Sequence, residues 1–177
     1  MKRAVVKCKL SSKDAFEKKL AEVDAEFGMV YWLHDRVYVP RGYKEKQNFP
    51  RLILRTEMRA VDRPPRYELI LRRHIEDSGI DVVDATVIRD YTEAANIILQ
   101  LGCVQQAEVS SRRQELVMGK ATRIYLDKVE GIAGYYAKIE TFLDEKDKAS
   151  EVLEELRETF RAFGQTNFST ETYSELL

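Results

Sequence analysis

The sequence contains few of the residues on which several common kinds of functional site depend. Among its 177 residues are two cysteines, Cys8 and Cys103, and two histidines, His34 and His74. It has no CxxC motif and no cluster of cysteine with histidine, which argues against the usual zinc sites and against a disulfide scaffold. This cysteine usage predicts a reduced, cytoplasmic protein.

Long apolar runs and an excess of one charge are also missing. No segment approaches the ~18 apolar residues of a membrane span, and the opening MKRAVVKCKLSSKD lacks the apolar run of a signal peptide. The 29 basic and 30 acidic residues give a formal net charge of −1, which argues against nucleic acid or a membrane surface as a partner. A basic site inside the fold is compatible with this balance.

The chain does contain many short segments of alternating polarity. Ala4, Val6, Cys8 and Leu10 share one face of residues 3–10, which is the period of a strand. Similar patterns predict strands over 29–39, 51–59, 66–75, 80–88, 104–117, 121–129 and 134–143, with a loop at 40–50 and a turn at 76–79.

Helices are predicted over 12–27, 90–101 and 145–163, with a last short helix capped by Thr170. Asp90 and Glu93 have the spacing of a capping box at the start of the second helix. We therefore predict one α+β domain over residues 1–177. Its sheet of about eight antiparallel strands should close into a barrel, with the helices packed outside.

Isolated basic residues recur at alternate positions of the predicted strands. They are Lys7 and Lys9; Arg51, Arg55 and Arg59; Arg66 and Arg72; and Arg113 and Arg123. Because charges on strands are mostly exposed, periodicity alone favours a solvated face by roughly two to one. In a closed barrel one set would point inward and require an anion, and arginine is a bidentate ligand of phosphate.

Several motifs in the second half of the chain have a characteristic order. DYTEAANIILQLGC is followed by EVSSRRQELVMGKATRIYLDKVEGIAGYYAKIE and, at the C-terminus, by TETYSELL. This order resembles the CYTH family, also called triphosphate tunnel metalloenzymes, which includes class IV adenylate cyclases and thiamine or inorganic triphosphatases. The tail resembles the class IV cyclase branch. The resemblance implies an eight-stranded antiparallel barrel around a charged tunnel that binds a triphosphate-containing small molecule.

The resemblance also implies a set of phosphate ligands and a set of metal ligands. The cationic positions of the family correspond to Lys7, Lys9, Arg55, Arg72 and Arg113. The carboxylates that would hold Mg²⁺ or Mn²⁺ correspond to Glu140, Asp84 and Asp127. For each carboxylate a simpler role stays open, namely a salt bridge for Glu140, a turn cap for Asp127 and an exposed strand position for Asp84.

Three further carboxylates of the family pattern are replaced by Arg3, Val5 and Lys138. Two of these changes reverse the charge, which repels a divalent cation. The sequence therefore predicts a protein that binds a nucleoside triphosphate or another polyphosphate, with metal-dependent catalysis weakened or lost. An active adenylate cyclase, a thiamine or inorganic triphosphatase, and an interaction protein that uses only the barrel's exterior are the alternatives. A homodimer is left open.

Overall fold

The computed structural model describes residues 2–43, 50–60, 62–75, 80–119, 121–144, 146–169 and 171–177. The elements in these ranges are β1 (Lys2–Lys9), α1 (Lys13–Ala21), β2 (Tyr31–Pro40), β3 (Arg51–Met58), β4 (Arg66–Ile75), β5 (Ile80–Ile88), α2 (Tyr91–Gln100), β6 (Cys103–Met118), β7 (Thr122–Val129), β8 (Tyr136–Phe142), α3 (Ala149–Ala162), β9 (Phe168–Ser169) and α4 (Tyr173–Leu176). None of the described helices is long and apolar enough to cross a membrane.

Strands β1 to β8 form a closed antiparallel barrel. The order is β5-β4-β3-β2-β6-β7-β8-β1, and pairing of β1 with β5, with Arg3 opposite Asp81, closes the sheet. The short β9 pairs with β1 on the outside, where Cys8 lies opposite Phe168. The predicted fold class, an α+β protein with a closed eight-stranded barrel, is confirmed.

Helices cover part of the outer face of the barrel because alternate strand residues point outward and are apolar. Phe16 of α1 and Phe160 of α3 are fully buried against Ala4 and Cys8 of β1, and their ring centroids lie 6.2 Å apart. On another part of the outer face, Ile98 of α2 packs against Leu54 of β3. The helices thus use the outward side chains and leave the inward ones for the barrel's interior.

The ends of some helices differ from their predicted positions. The first helix stops at Ala21 rather than near residue 27, because Asp24 adopts a positive φ of 54° that breaks the helical path. Helix α3 begins at Ala149 instead of 145. Asp90 does cap α2, accepting a hydrogen bond from the Glu93 backbone at 2.8 Å. The expected turn at 76–79, the centre of the 40–50 loop and Thr170 itself lie outside the described residues, but the last helix is capped by Thr172 rather than by Thr170.

The tail segment, residues 171–177, packs against one end of the barrel. Tyr173 and Leu176 contact the buried cluster that contains Val109, Val129 and Tyr136. Thr172 and Glu175 form a capping box around α4, and Glu175 accepts a hydrogen bond from Arg51 of β3 at 2.7 Å. Deeper inside, four apolar residues of β2 to β5 pack together, namely Val37, Ile53, Ile70 and Val83. The tail segment and this apolar cluster fill one part of the barrel's interior. The space that they leave is a cavity near the end opposite the tail.

Candidate functional site

The cavity inside the barrel has a volume of about 230 Å³ and is lined by side chains from all eight barrel strands. Its charged lining comprises eight cations, Arg3, Arg55, Arg59, Arg66, Arg72, Arg113, Arg123 and Lys138, and five carboxylates, Glu57, Glu68, Asp81, Glu115 and Glu140. These residues come together because alternate residues of each strand point inward. These basic residues therefore point into the closed barrel and do not form the solvated face that periodicity alone favoured.

Two of the arginines are held by carboxylates that lie behind the lining. Arg55 donates from Nε and Nη2 to Asp35 at 2.8 and 2.7 Å. Arg113 donates from the same two atoms to Asp127 at 2.6 and 2.7 Å, and the Tyr173 hydroxyl donates to Asp127 at 2.8 Å. Burial would raise the pKa of Asp127, but the adjacent Arg113 outweighs it and lowers the pKa below its usual range. We name Arg113, Asp127 and Tyr173 the Asp127 cluster.

A second buried group surrounds Glu140 on β8. Its Oε1 accepts hydrogen bonds from Arg3 Nη1 and the Tyr125 hydroxyl, both at 3.0 Å, and its Oε2 accepts one from Lys138 Nζ at 3.0 Å. Burial would raise the pKa of Glu140, but Lys138 and Arg3 lower it to about 2. We name Arg3, Tyr125, Lys138 and Glu140 the Glu140 cluster.

The Glu140 cluster holds a positive charge that its own carboxylate does not balance. Arg3 and Lys138 share one carboxylate, and burial together with the nearby Arg113 and Arg72 lowers the pKa of Lys138 to about 8. Arg3 Nε is buried and has no hydrogen-bond partner among the described residues. An unpaired buried donor is costly, and because this atom has almost no accessible surface it is not itself exposed to the cavity.

The cavity has an exposed rim and a buried floor. Arg59, Arg66 and Arg123 are about half exposed, whereas Glu140 and Arg113 are buried. At the rim, Arg59 and Arg123 both contact Glu115, at 3.7 and 3.1 Å. An anion entering from the rim therefore passes half-exposed arginines before it reaches the Glu140 cluster.

The structure brings together some of the phosphate ligands that the sequence predicts. Arg55, Arg72 and Arg113 line the cavity. Lys7 lies inside the barrel but at the tail end, where its ammonium donates to the Glu171 carbonyl and lies 4.7 Å from the Tyr173 ring centroid. Burial, followed by repulsion from Arg72, lowers the pKa of Lys7 to about 8. Lys9 is exposed at the end of β1, outside the cavity.

The three candidate metal ligands lie in three different places. Glu140 lines the cavity, and Asp127 is fully buried in its own cluster. Asp84 is exposed, between the inward residues Val83 and Ala85 of β5. The structure therefore does not bring Asp84 to the cavity.

The inward carboxylate of β5 is Asp81, which is buried and paired with Arg72. The family resemblance had instead aligned a metal-binding carboxylate with Asp84. A shift of one residue along a strand transfers every side chain to the other face, so this alignment selected the outward set.

Sequence reasoning also missed residues of the cavity lining that strand alternation could have found. Glu115 lies two residues after Arg113, and Tyr125 lies two residues before Asp127, so each shares the inward face of a strand already implicated. Arg3 was interpreted only as the loss of a carboxylate, yet it lines the cavity and contacts Glu140. The residue that replaces a family carboxylate thus places a cation in the cavity lining.

The carboxylates of the cavity are not arranged as a preformed metal centre. The described residues contain no group of three or more His, Cys, Asp or Glu side chains placed to share one ion. Both oxygens of Glu140 already accept hydrogen bonds from cations, and the same holds for Asp127 with Arg113. A divalent cation at Glu140 would have to displace Arg3 or Lys138, so this donor set does not fit such an ion.

No family model matches the chain, and no curated protein matches it. Solved structures do share its fold. The PH1819 protein from Pyrococcus horikoshii is 23% identical, with a TM-score of 0.84 over 98% of this chain and 97% of that one. A candidate adenylate cyclase from Vibrio parahaemolyticus is 19% identical, with a TM-score of 0.80 over 98% and 96%.

A third structure is that of the candidate adenylyl cyclase HpAC1 from Hippeastrum, which is named for a dominant triphosphatase activity. It is 15% identical to this chain, with a TM-score of 0.63 over 98% of this chain and 93% of that one. Together with the barrel topology, these similarities show that the fold is CYTH-like, as the sequence motifs indicated.

Proposed function

We propose that the protein binds the phosphate groups of a nucleoside triphosphate or another polyphosphate in the barrel cavity, and that metal-dependent catalysis is weakened or lost. The observation that carries this proposal is the Glu140 cluster, in which two cations that line the cavity share one carboxylate. A phosphate oxygen supplies the negative charge that this cluster lacks.

The charge balance of the lining supports a modest affinity for an anion. Once Asp35 and Asp127 neutralise Arg55 and Arg113, six cations face five carboxylates. Each remaining cation has an internal carboxylate partner, so an incoming phosphate must compete with that carboxylate. Binding should consequently be salt-dependent and strongest for ligands that carry several charges.

The occupied carboxylates support the second part of the proposal. Catalysis in the CYTH family, which the sequence resembles, depends on Mg²⁺ or Mn²⁺ held against the triphosphate. Here Arg3 and Lys138 stand at two of the expected carboxylate positions and bind Glu140, which would otherwise be the best candidate ligand. A cation in the place of a metal stabilises phosphate charge but does not activate a nucleophile in the same way.

Isothermal titration calorimetry with tripolyphosphate, without metal and at low salt, tests the binding. We expect binding by the native protein and by Lys148→Gln, since Lys148 immediately precedes α3, lies outside the cavity and is mostly exposed. Absence of binding by the native protein would contradict the proposal.

The structural neighbours favour two other activities, namely adenylate cyclase and triphosphatase. Product analysis after incubation with ATP, thiamine triphosphate or tripolyphosphate, each with Mg²⁺ or Mn²⁺, separates them. Cyclic AMP with pyrophosphate indicates a cyclase, and release of inorganic phosphate indicates a triphosphatase. Rapid turnover of either kind would contradict the loss of catalysis but not the binding site.

A further inference from the structure

Inside the barrel, two pairs of like charges face each other on neighbouring strands. Lys7 of β1 lies directly opposite Lys138 of β8, and Arg51 of β3 lies directly opposite Arg72 of β4. Like charges in directly opposite positions destabilise a sheet, so each cation needs a partner of its own. Lys138 and Arg72 line the cavity and are paired there with carboxylates. Lys7 and Arg51 lie toward the tail segment.

The tail segment provides acceptors for these two remaining cations. Lys7 donates to the Glu171 carbonyl. Arg51 donates to the Thr172 hydroxyl at 3.1 Å and to the Glu175 carboxylate at 2.7 Å. The tail segment contains two acidic residues and no basic residue. It therefore contacts Lys7 and Arg51 in the way that a bound anion would.

The cations held by the tail segment and those of the cavity lining influence each other. The Cβ atoms of directly opposite residues lie about 4.5–5.5 Å apart, so Lys7 is one strand away from the lining. Burial, followed by repulsion from Arg72 and Lys138, lowers the pKa of Lys7 to about 8, whereas Glu171 and Glu175 act to raise this pKa. The tail segment thus balances positive charge at the floor of the cavity.

A tripolyphosphate requires more positive charge than the cavity lining offers. Once Arg55 and Arg113 are neutralised, six cations face five carboxylates, which leaves a surplus of one charge. A buried anion with several charges needs a matching number of cations. Lys7 and Arg51 lie directly opposite residues of the lining, but the tail segment occupies both. A single phosphate group needs fewer cations.

The contacts that hold the tail segment are few enough to be exchanged for a ligand. Helix α4 has four residues, none of them buried, and a helix of this length is not stable by itself. Tyr173 anchors it, because its hydroxyl donates to Asp127 at 2.8 Å and its ring centroid lies 5.6 Å from that of Tyr136. Elements with few buried residues detach at a lower free energy than core strands do.

We propose that the tail segment is an autoinhibitory strap, which competes with the phosphate chain of the ligand for Lys7 and Arg51 and is displaced by a ligand with three or more phosphate groups. This inference rests on the proposed function, because the strap controls access to part of the same site. The observed affinity for such a ligand is then the intrinsic affinity multiplied by the fraction of protein whose tail is displaced.

Calorimetric titration of the native protein and of Tyr173→Phe with tripolyphosphate and with inorganic phosphate tests the competition. The substitution removes the hydrogen bond to Asp127, keeps the ring and leaves the net charge unaltered, so a gain in affinity reports the hold of the tail. We expect tripolyphosphate to bind Tyr173→Phe about tenfold more tightly than the native protein, with the affinity for inorganic phosphate unchanged. Tyr91→Phe on α2 is the matched control and should bind as the native protein does, because the buried Tyr91 hydroxyl has no hydrogen-bond partner among the described residues.

Hydrogen exchange measured by mass spectrometry follows the tail segment directly in the native protein. The Thr172 N–H donates to Glu175 Oε2 at 2.6 Å, and the Leu176 N–H donates to the Thr172 carbonyl at 3.2 Å. These bonds protect both amides only while α4 is folded. Saturating tripolyphosphate should therefore accelerate exchange within residues 172–177, whereas inorganic phosphate should not.

The outcomes separate the strap from the phosphate site. If tripolyphosphate binds neither the native protein nor Tyr173→Phe, the phosphate site is wrong and the strap with it. If tripolyphosphate binds but the tail amides exchange no faster, or if Tyr173→Phe gains no affinity, the tail segment does not compete with the ligand. An equal gain for inorganic phosphate would contradict the dependence on the number of phosphate groups.

Discussion

The two buried ion clusters inside the barrel contain the same kinds of groups but differ in net charge. In the Asp127 cluster one arginine meets one carboxylate through two hydrogen bonds, and the Tyr173 hydroxyl adds a third. In the Glu140 cluster two cations and the Tyr125 hydroxyl share one carboxylate through single hydrogen bonds. The first is neutral as a pair, while the second carries a surplus positive charge.

This difference in charge implies different roles for cations that share the lining of one cavity. Arg113 was expected to be a phosphate ligand, but its Nε and Nη2 atoms both donate to Asp127, which links β6, β7 and the tail segment. Lys138 and Arg3 each donate one hydrogen bond to Glu140, whereas Arg113 donates two to Asp127. We therefore expect the Asp127 cluster to act mainly on stability and the Glu140 cluster mainly on anion binding.

The largest expected effect comes from breaking the Asp127 cluster. Asp127→Asn leaves the Arg113 guanidinium buried without its counter-charge, which should lower the free energy of unfolding by about 3–5 kcal/mol. Denaturant unfolding monitored by circular dichroism measures this loss. Tripolyphosphate should restore less of it than in a variant of the Glu140 cluster, since Asp127 lies behind the cavity lining and only Arg113 of its cluster reaches the cavity.

Glu140→Gln is the matched variant in the cavity. It also leaves cations without a carboxylate, but an anion can enter there, so saturating tripolyphosphate should recover part of the lost stability. Equal recovery in both variants would mean that the two clusters do not differ in access to ligand.

The next effect tests the surplus charge directly. Lys138→Gln removes one charge-assisted contact of roughly 1.5–3 kcal/mol, so tripolyphosphate should bind about tenfold to a hundredfold more weakly. Titration calorimetry measures the change, with Lys148→Gln at the exposed residue before α3 as the control that should change little. If both variants lose the same small amount, the cavity is not the binding site.

Strand alternation made most of the barrel predictable. The period-two patterns at 66–75 and 80–88 correspond to the observed β4 and β5, and each fixes which side chains can share a face. Alternation does not state which face is inward, and the family resemblance aligned a carboxylate with Asp84, whereas Asp81 is the one that points into the barrel. The choice requires the register between strands, which depends on the closed sheet as a whole.

Pairing between charges was less accessible to sequence reasoning. Arg113 and Asp127 lie directly opposite on β6 and β7, a relation set by the hairpin between them. Their inward positions could be inferred, but the neutralisation of Arg113 could not, because it depends on the β6–β7 register and on Tyr173, which lies 46 residues beyond Asp127. The early end of the first helix likewise depends on the left-handed conformation of Asp24. Aspartate permits this conformation, but its presence in the sequence does not predict it.

A smaller effect tests whether the missing carboxylates account for the poor fit to a metal. Val5→Glu together with Lys138→Glu restores two acidic positions beside Glu140, since Val5 lies opposite Glu140 in the pairing of β1 with β8. We expect Mn²⁺ to bind about tenfold more tightly than to the native protein, an increase of ~1.4 kcal/mol measurable by calorimetry. Tight binding of two metal ions by the native protein would contradict our interpretation of these substitutions.

The smallest effect concerns pH and acts through Lys138. Its pKa is lowered to about 8, so the ammonium loses its charge as the pH rises through that value. Tripolyphosphate should therefore bind about fourfold more weakly at pH 8.5 than at pH 7.0, relative to a Lys138→Arg variant that stays charged. This reference variant cancels the change in ionisation of tripolyphosphate itself.

The same titration should change stability in the opposite direction. Between about pH 8 and 10 the unfolded chain keeps the Lys138 proton that the folded protein has lost, so the free energy of unfolding should rise relative to Lys138→Arg. Parallel binding and unfolding measurements over this range test both signs. If affinity and stability of the native protein follow those of Lys138→Arg at every pH, Lys138 stays charged throughout and the Glu140 cluster is more solvated than its burial indicates.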